Sequence, residues 1–183
     1  MNAEEIIKIS SLFVNVQDEV EELISENSIT GELAMLLKCL NLTLTEIADD
    51  YLPILNKETI CIDSNKLYFD DLIKPCKEII SIKLSNSNKN IRFTQYENYV
   101  FVNAKGYVDV VYKTSIDEVN INSEINQFPC LSSKCIALGT ASEYCYINGF
   151  YEEAQMWDRR FKDSLQIECR KKKEIVMPKR WWG

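Results

Sequence analysis

The chain has 183 residues, a net charge of −7, and 46% apolar against 27% charged residues, so it is long and apolar enough to bury a core. It contains no histidine, which removes the commonest general base, every Ser–His–Asp or Cys–His arrangement and most metal sites. It has no GxGxxG or GxxxxGK[ST] run to cradle a phosphate, and its acidic body argues against general nucleic-acid binding, which needs a basic face, the basic tail being the one exception.

The charge is unevenly placed. Residues 1–52 hold eleven acids and two lysines, whereas residues 170–183 hold six basic residues and Glu174. No stretch approaches the roughly 18 apolar residues that span a bilayer. The start, Met1-Asn2-Ala3-Glu4-Glu5, is acidic where a secretory leader is basic, so a cytoplasmic setting is expected. The seven cysteines are odd in number, scattered and without a CxxC pair, which predicts reduced, mostly buried thiols and no metal site.

Ile6, Ile9, Phe13, Val16, Val20, Leu23 and Ile24 recur at helical spacing and predict one helix over 3–25. Leu33, Leu36, Leu37, Leu40, Leu44, Ile47, Ala48 and Tyr51 predict a second over 30–51, weakened near Asn41 and ended by Pro53. The period then shortens. Thr59–Ile62 reads as a strand, 63–66 as a turn and Leu67–Phe69 as the returning strand, with a helical turn over 70–72. Residues 78–84 alternate, placing Ile80, Ile82 and Leu84 on one face. Further strands are expected over 91–94, 99–102 and 106–113, and the short connections favour antiparallel pairing. After an irregular stretch to Phe128-Pro129, a helix rich in small residues covers 131–148 and is expected to be buried. Asn148-Gly149 stops it, and an amphipathic helix over 150–168 closes an antiparallel hairpin.

The expected class is therefore α+β: helices over 3–52, a small antiparallel sheet or sandwich over 57–114, and a helical hairpin over 131–168. Residues 1–169 read as one domain, followed by a basic and aromatic arm over 170–183.

Little in this chain points to catalysis. The carboxylate pairs Asp49-Asp50, Asp70-Asp71 and Glu152-Glu153 are adjacent, and adjacent helical positions do not face each other. Cys135 and Cys145 have no base partner in the sequence. No catalytic residue, metal ligand or cofactor is expected. The arm carries more information. Arg170, Lys171, Lys172 and Lys173, then Lys179, Arg180, Trp181 and Trp182, mix cations with flat aromatics that suit a partner surface. Ile175 and Met177 could add a strand to a neighbour's edge.

The hairpin also carries a resemblance. Pro129 precedes the run Ala137-Leu138-Gly139-Thr140-Ala141-Ser142-Glu143-Tyr144-Cys145. Asn148-Gly149-Phe150-Tyr151-Glu152-Glu153-Ala154 then leads into Trp157-Asp158-Arg159-Arg160-Phe161-Lys162-Asp163-Ser164-Leu165. This resembles the closing helix pair of tailed-bacteriophage head–tail connector (adaptor, neck) proteins, and the element order of the whole chain is similar too. The resemblance implies a non-enzymatic virion protein of the neck, assembled in the host cytoplasm. It implies a ring, commonly of twelve copies, between the portal and a downstream neck or tail protein. DNA would only pass through its channel, and no membrane is involved. A small soluble regulatory or adaptor protein is the alternative, with a carboxylate- and metal-dependent enzyme behind it.

Overall fold

Asn15 decides how the chain begins. In the computed structural model, which describes residues 1–87 and 89–170, helix α1 (Ala3–Phe13) opens with the Asn2 side chain accepting from the Glu4 N–H at 3.2 Å. Glu4 and Glu5 stand in its first turn, where the helix dipole favours negative charge. Asn15 then adopts a φ of 59°, and α2 (Gln17–Ser25) starts afresh. Two helices thus stand where the sequence reads as one. The apolar spacing continues across the break, so periodicity misses it, but Asn is among the few residues that accept left-handed backbone.

Helix α3 (Gly31–Glu46) runs unbroken through Asn41 into a π-helical turn over Ile47–Tyr51. The expected weakness at Asn41 is absent. Its side chain faces outward to the chain at Val119, donating to the carbonyl at 3.0 Å and accepting from the N–H at 2.8 Å.

The described residues then form seven strands: β1 (Leu55–Ile62), β2 (Lys66–Tyr68), β3 (Cys76–Leu84), β4 (Asn90–Ile91), β5 (Phe93–Gln95), β6 (Tyr99–Val102) and β7 (Gly106–Thr114). They make two antiparallel sheets, ordered β1-β7-β3-β4 and β2-β6-β5. The inward side chains of both, among them Ile62, Leu67, Ile82, Val100, Val102 and Val110, form one apolar cluster. The expected hairpin of β1 with β2 does not form. Asn65, at φ 57°, redirects the chain into the second sheet, and its carbonyl accepts from Val102 N–H at 2.9 Å. Strand β3 departs from simple alternation as well. Register shifts at 76/78 and 79/81 bury Ile79 and Ile82 and turn Ile80 outward.

Helix α4 (Ser133–Ile147) is capped by the Ser132 hydroxyl, which accepts from Cys135 N–H at 3.2 Å. All seven positions from Cys135 to Ala141 are buried, as the small-residue composition predicts, and α4 packs against α1 and α5 (Tyr151–Glu168). Gly149, at φ 80°, turns the chain between them. Ser142 ties the pair by donating to the Ala154 carbonyl at 2.9 Å, and Glu168 accepts from the N–H and hydroxyl of Ser132 at 2.6 and 2.8 Å.

Among the described residues the α+β chain divides into two compact units: residues 1–40 with 121–170, which hold α1, α2, α4 and α5, and Asn41–Asn120, which holds the sheets.

Candidate functional site

A dense polar constellation lies in the sheet unit. Glu58 on β1 and Tyr112 on β7 sit near each other because Glu58 pairs with Val110 in the ladder. Tyr112, whose ring is fully buried, donates its hydroxyl to Glu58 Oε1. Asn56 Nδ2 donates to the same oxygen at 2.6 Å and to Tyr112 Oη at 2.8 Å. The backbone N–H groups of Ile73 and Lys74 donate to Glu58 Oε2 at 3.1 Å and to Tyr112 Oη at 3.2 Å. Burial, then the Glu58 carboxylate, raises the Tyr112 hydroxyl above its ordinary range. Both Glu58 oxygens and Tyr112 Oη accept from donors within the protein, so the arrangement pins the 73–74 loop to the sheet and reads as a structural network. A second cluster, Asp109, receives the hydroxyls of Ser85 and Thr59 at 2.8 Å each and lies 3.0 Å from Lys57 Nζ. The Ser85 hydroxyl, with Lys57 and Thr59, holds its carboxyl down at about 2.

The carboxylate pairs named by the sequence do not converge. Asp49 pairs with Lys77 at 2.5 Å, Asp71 accepts from Tyr68 N–H at 3.3 Å, and Glu152 and Glu153 stand exposed in the first turn of α5. Among the described residues no three His, Cys, Asp or Glu side chains gather to hold a metal ion. Cys39, Cys135 and Cys145 are buried, Cys76 and Cys169 are half-buried, and Cys61 and Cys130 are exposed. Burial pushes Cys135 up to about 11 and also raises Cys145, the reverse of an activated thiolate.

Exposed aromatics mark two surfaces that charge and motif reasoning pass over. One is the α4–α5 corner, where Tyr146, Ile147, Phe150 and Tyr151 are 64%, 52%, 55% and 59% exposed. Tyr146 and Tyr151 meet edge to face at 5.6 Å. Beside the corner, Phe13 stacks on Trp157 with ring centroids 4.9 Å apart. With Val14, Val16, Phe150 and Glu153 these rings line a cavity of about 410 Å³ in the helical unit. The second surface is the outer face of the small sheet. Tyr99 stacks on Tyr96 at 4.9 Å and tilts against Tyr68 at 6.0 Å, with Lys66 Nζ 4.7 Å from its ring. Phe101 is also exposed there. The readable signal was apolar residues on both sides of the Asn148-Gly149 stop, a place where corners are usually polar.

Of the contact residues named from the sequence, Arg170 is the last described and is exposed. Lys171, Lys172, Lys173, Ile175, Met177, Lys179, Arg180, Trp181 and Trp182 lie outside the described residues. No described helix is long and apolar enough to cross a membrane. The chain matches no protein-family model and no curated protein.

Proposed function

We propose that this chain is an assembly subunit that works by protein contact, as a ring-forming head–tail connector of a tailed phage. The observation that carries the reading is the exposed apolar corner at Tyr146, Ile147, Phe150 and Tyr151, on the same α4–α5 hairpin whose residues resemble the connectors. Large side chains this exposed and this close in sequence are the usual mark of an interface. The rigid, small-residue packing of α4 gives that corner a fixed platform. In this reading the subunits form a ring, commonly of twelve copies in the proteins the hairpin resembles. They dock on the portal and on a downstream neck or tail protein, and acidic helices let DNA pass without holding it.

Multi-angle light scattering and negative-stain imaging of the chain, alone and with the portal protein of the same phage, test this. Ring-shaped particles or a stable complex with the portal are expected. A chain that stays monomeric at high concentration and binds no portal overturns it.

A further inference from the structure

We propose that Cys130 and Cys169 form a thiol pair that a small-molecule disulfide, of the oxidised-glutathione class, converts into an internal disulfide fastening the end of α5 to the entry of α4. This goes beyond the assembly reading and does not depend on it.

Both cysteines lie just outside regular helix. Cys130 stands in the turn two residues before Ser132, the cap of α4, and Cys169 is the C-cap of α5. The residues beside them are already clamped. Glu168 accepts from the Ser132 N–H at 2.6 Å, from its hydroxyl at 2.8 Å and from the Ser164 hydroxyl at 3.1 Å. This clamp holds the two ends together, and across it the Cys169 thiol hydrogen-bonds to Cys130. Turn and cap residues can rotate to meet the geometry of an S–S bond without breaking either helix.

Access separates this pair from other thiols. Cys130 is exposed and Cys169 is half-buried. Cys39 and Cys145, which also lie near each other, are both buried, as is Cys135 close to the pair. A reagent from solvent therefore meets Cys130 first. Burial, then Cys130 itself, pushes the Cys169 thiol up to about 11, so Cys169 keeps its proton while Cys130 attacks.

The reaction is two thiol–disulfide exchanges. The Cys130 thiolate attacks one sulfur of the reagent and breaks its S–S bond. A mixed disulfide forms, and one small thiol leaves with the proton that Cys130 gave up. Cys169 then loses its proton and attacks Cys130 Sγ, and the second small thiol leaves with that proton. The protein loses two electrons and two protons, and the reagent is reduced to two thiols. The new bond closes a loop over residues 130–169 that contains the whole hairpin, which constrains the unfolded chain. It also anchors the root of the C-terminal arm, because Arg170 follows Cys169 directly.

The full-length chain is incubated with oxidised glutathione at pH 8, alkylated and digested with trypsin without reduction. Cleavage after Lys113, Lys134, Lys162 and Arg170 puts Cys130, Cys135 and Cys169 on separate peptides. The expected product is a Cys130–Cys169 cross-linked pair, with a rise of about 5 °C or more in the melting midpoint that dithiothreitol reverses. Cys169→Ser should stop with glutathione on Cys130, and Cys130→Ser should slow the oxidation of Cys169 at least tenfold. Neither variant should show the midpoint rise. Glutathione retained on Cys130 of the wild-type chain, a cross-link from Cys169 to Cys135, or no reaction at Cys130 overturns the pair. A Cys130–Cys169 bond that leaves the midpoint unchanged overturns its fastening role.

Discussion

The helical unit and the sheet unit are held together by different means. In the helical unit, Leu33, Leu36, Phe128 and Phe161 are essentially fully buried, and the buried hydroxyls of Ser10 and Thr140 return to carbonyls of their own helices at 2.8 and 3.1 Å. Apolar volume sets the packing, and polar ties such as Ser142 to the Ala154 carbonyl lie at its edges. In the sheet unit a hydroxyl sits at the centre of the interaction: buried Tyr112 carries the Glu58 network that fastens β1, β7 and the 73–74 loop. The contrast teaches that one unit should fail by losing volume and the other by losing a single hydrogen-bond partner.

The largest expected effect breaks the helical side. Phe161→Ala should cost about 3–5 kcal/mol, read from the denaturation midpoint by circular dichroism. On the sheet side, Tyr112→Phe removes almost no volume yet should cost about 1–3 kcal/mol, because Glu58 loses a donor and Lys74 N–H an acceptor. A neutral Tyr112→Phe would erase the contrast. Next, Asn15→Val should cost about 1–2 kcal/mol through its left-handed backbone, while Asn15→Gly should be close to neutral.

Acid should sharpen the comparison by moving the units in opposite directions. The Asp109 carboxyl is lowered from 3.8 to about 2 in the folded chain. Its contribution to the sheet unit is therefore present above pH 3.8 and fades as pH falls through 2. Burial, then Asp158, raises the Glu143 carboxyl of α4 above its ordinary 4.5. Folded Glu143 holds its proton where the unfolded chain has lost it, so the helical unit gains stability as pH falls towards 4.5. Acid titration of Asp109→Asn and Glu143→Gln, followed by amide exchange in each unit, should show opposite changes in slope. The smallest effect concerns the thiols. At pH 8, alkylation should label Cys61 well before Cys39, which burial and nearby Glu143 push up to about 12.

The sequence made the class and most of the elements legible because their signals are local. Strand β6 and both helices of the hairpin lie where period and stop residues place them. What escaped depended on partners far along the chain. The pairing of Leu55 with Lys113 leaves no local trace, so β1 and β2 looked like a hairpin. The bulges in β3 depend on its fit to β7, so alternation alone puts Ile80 on the wrong face. The cavity beside Trp157 arises from Phe13, a residue 144 positions earlier, which neither helix announces alone. The basic arm is legible as composition alone, and its residues from Lys171 onward lie outside the described ones.

The division of the chain also sets the order in which its parts can fold during synthesis. The sheet unit is complete once Asn120 has emerged, whereas α1 must wait for α4 and α5 before its apolar face is covered. At about 5–20 residues per second, the 45 residues from Asn120 to Leu165 take roughly 2–9 s. For that interval the sheet unit is finished while Ile6, Ile7 and Val20 of the first helices are still in water. The part of the chain that is translated first is thus the part that folds last.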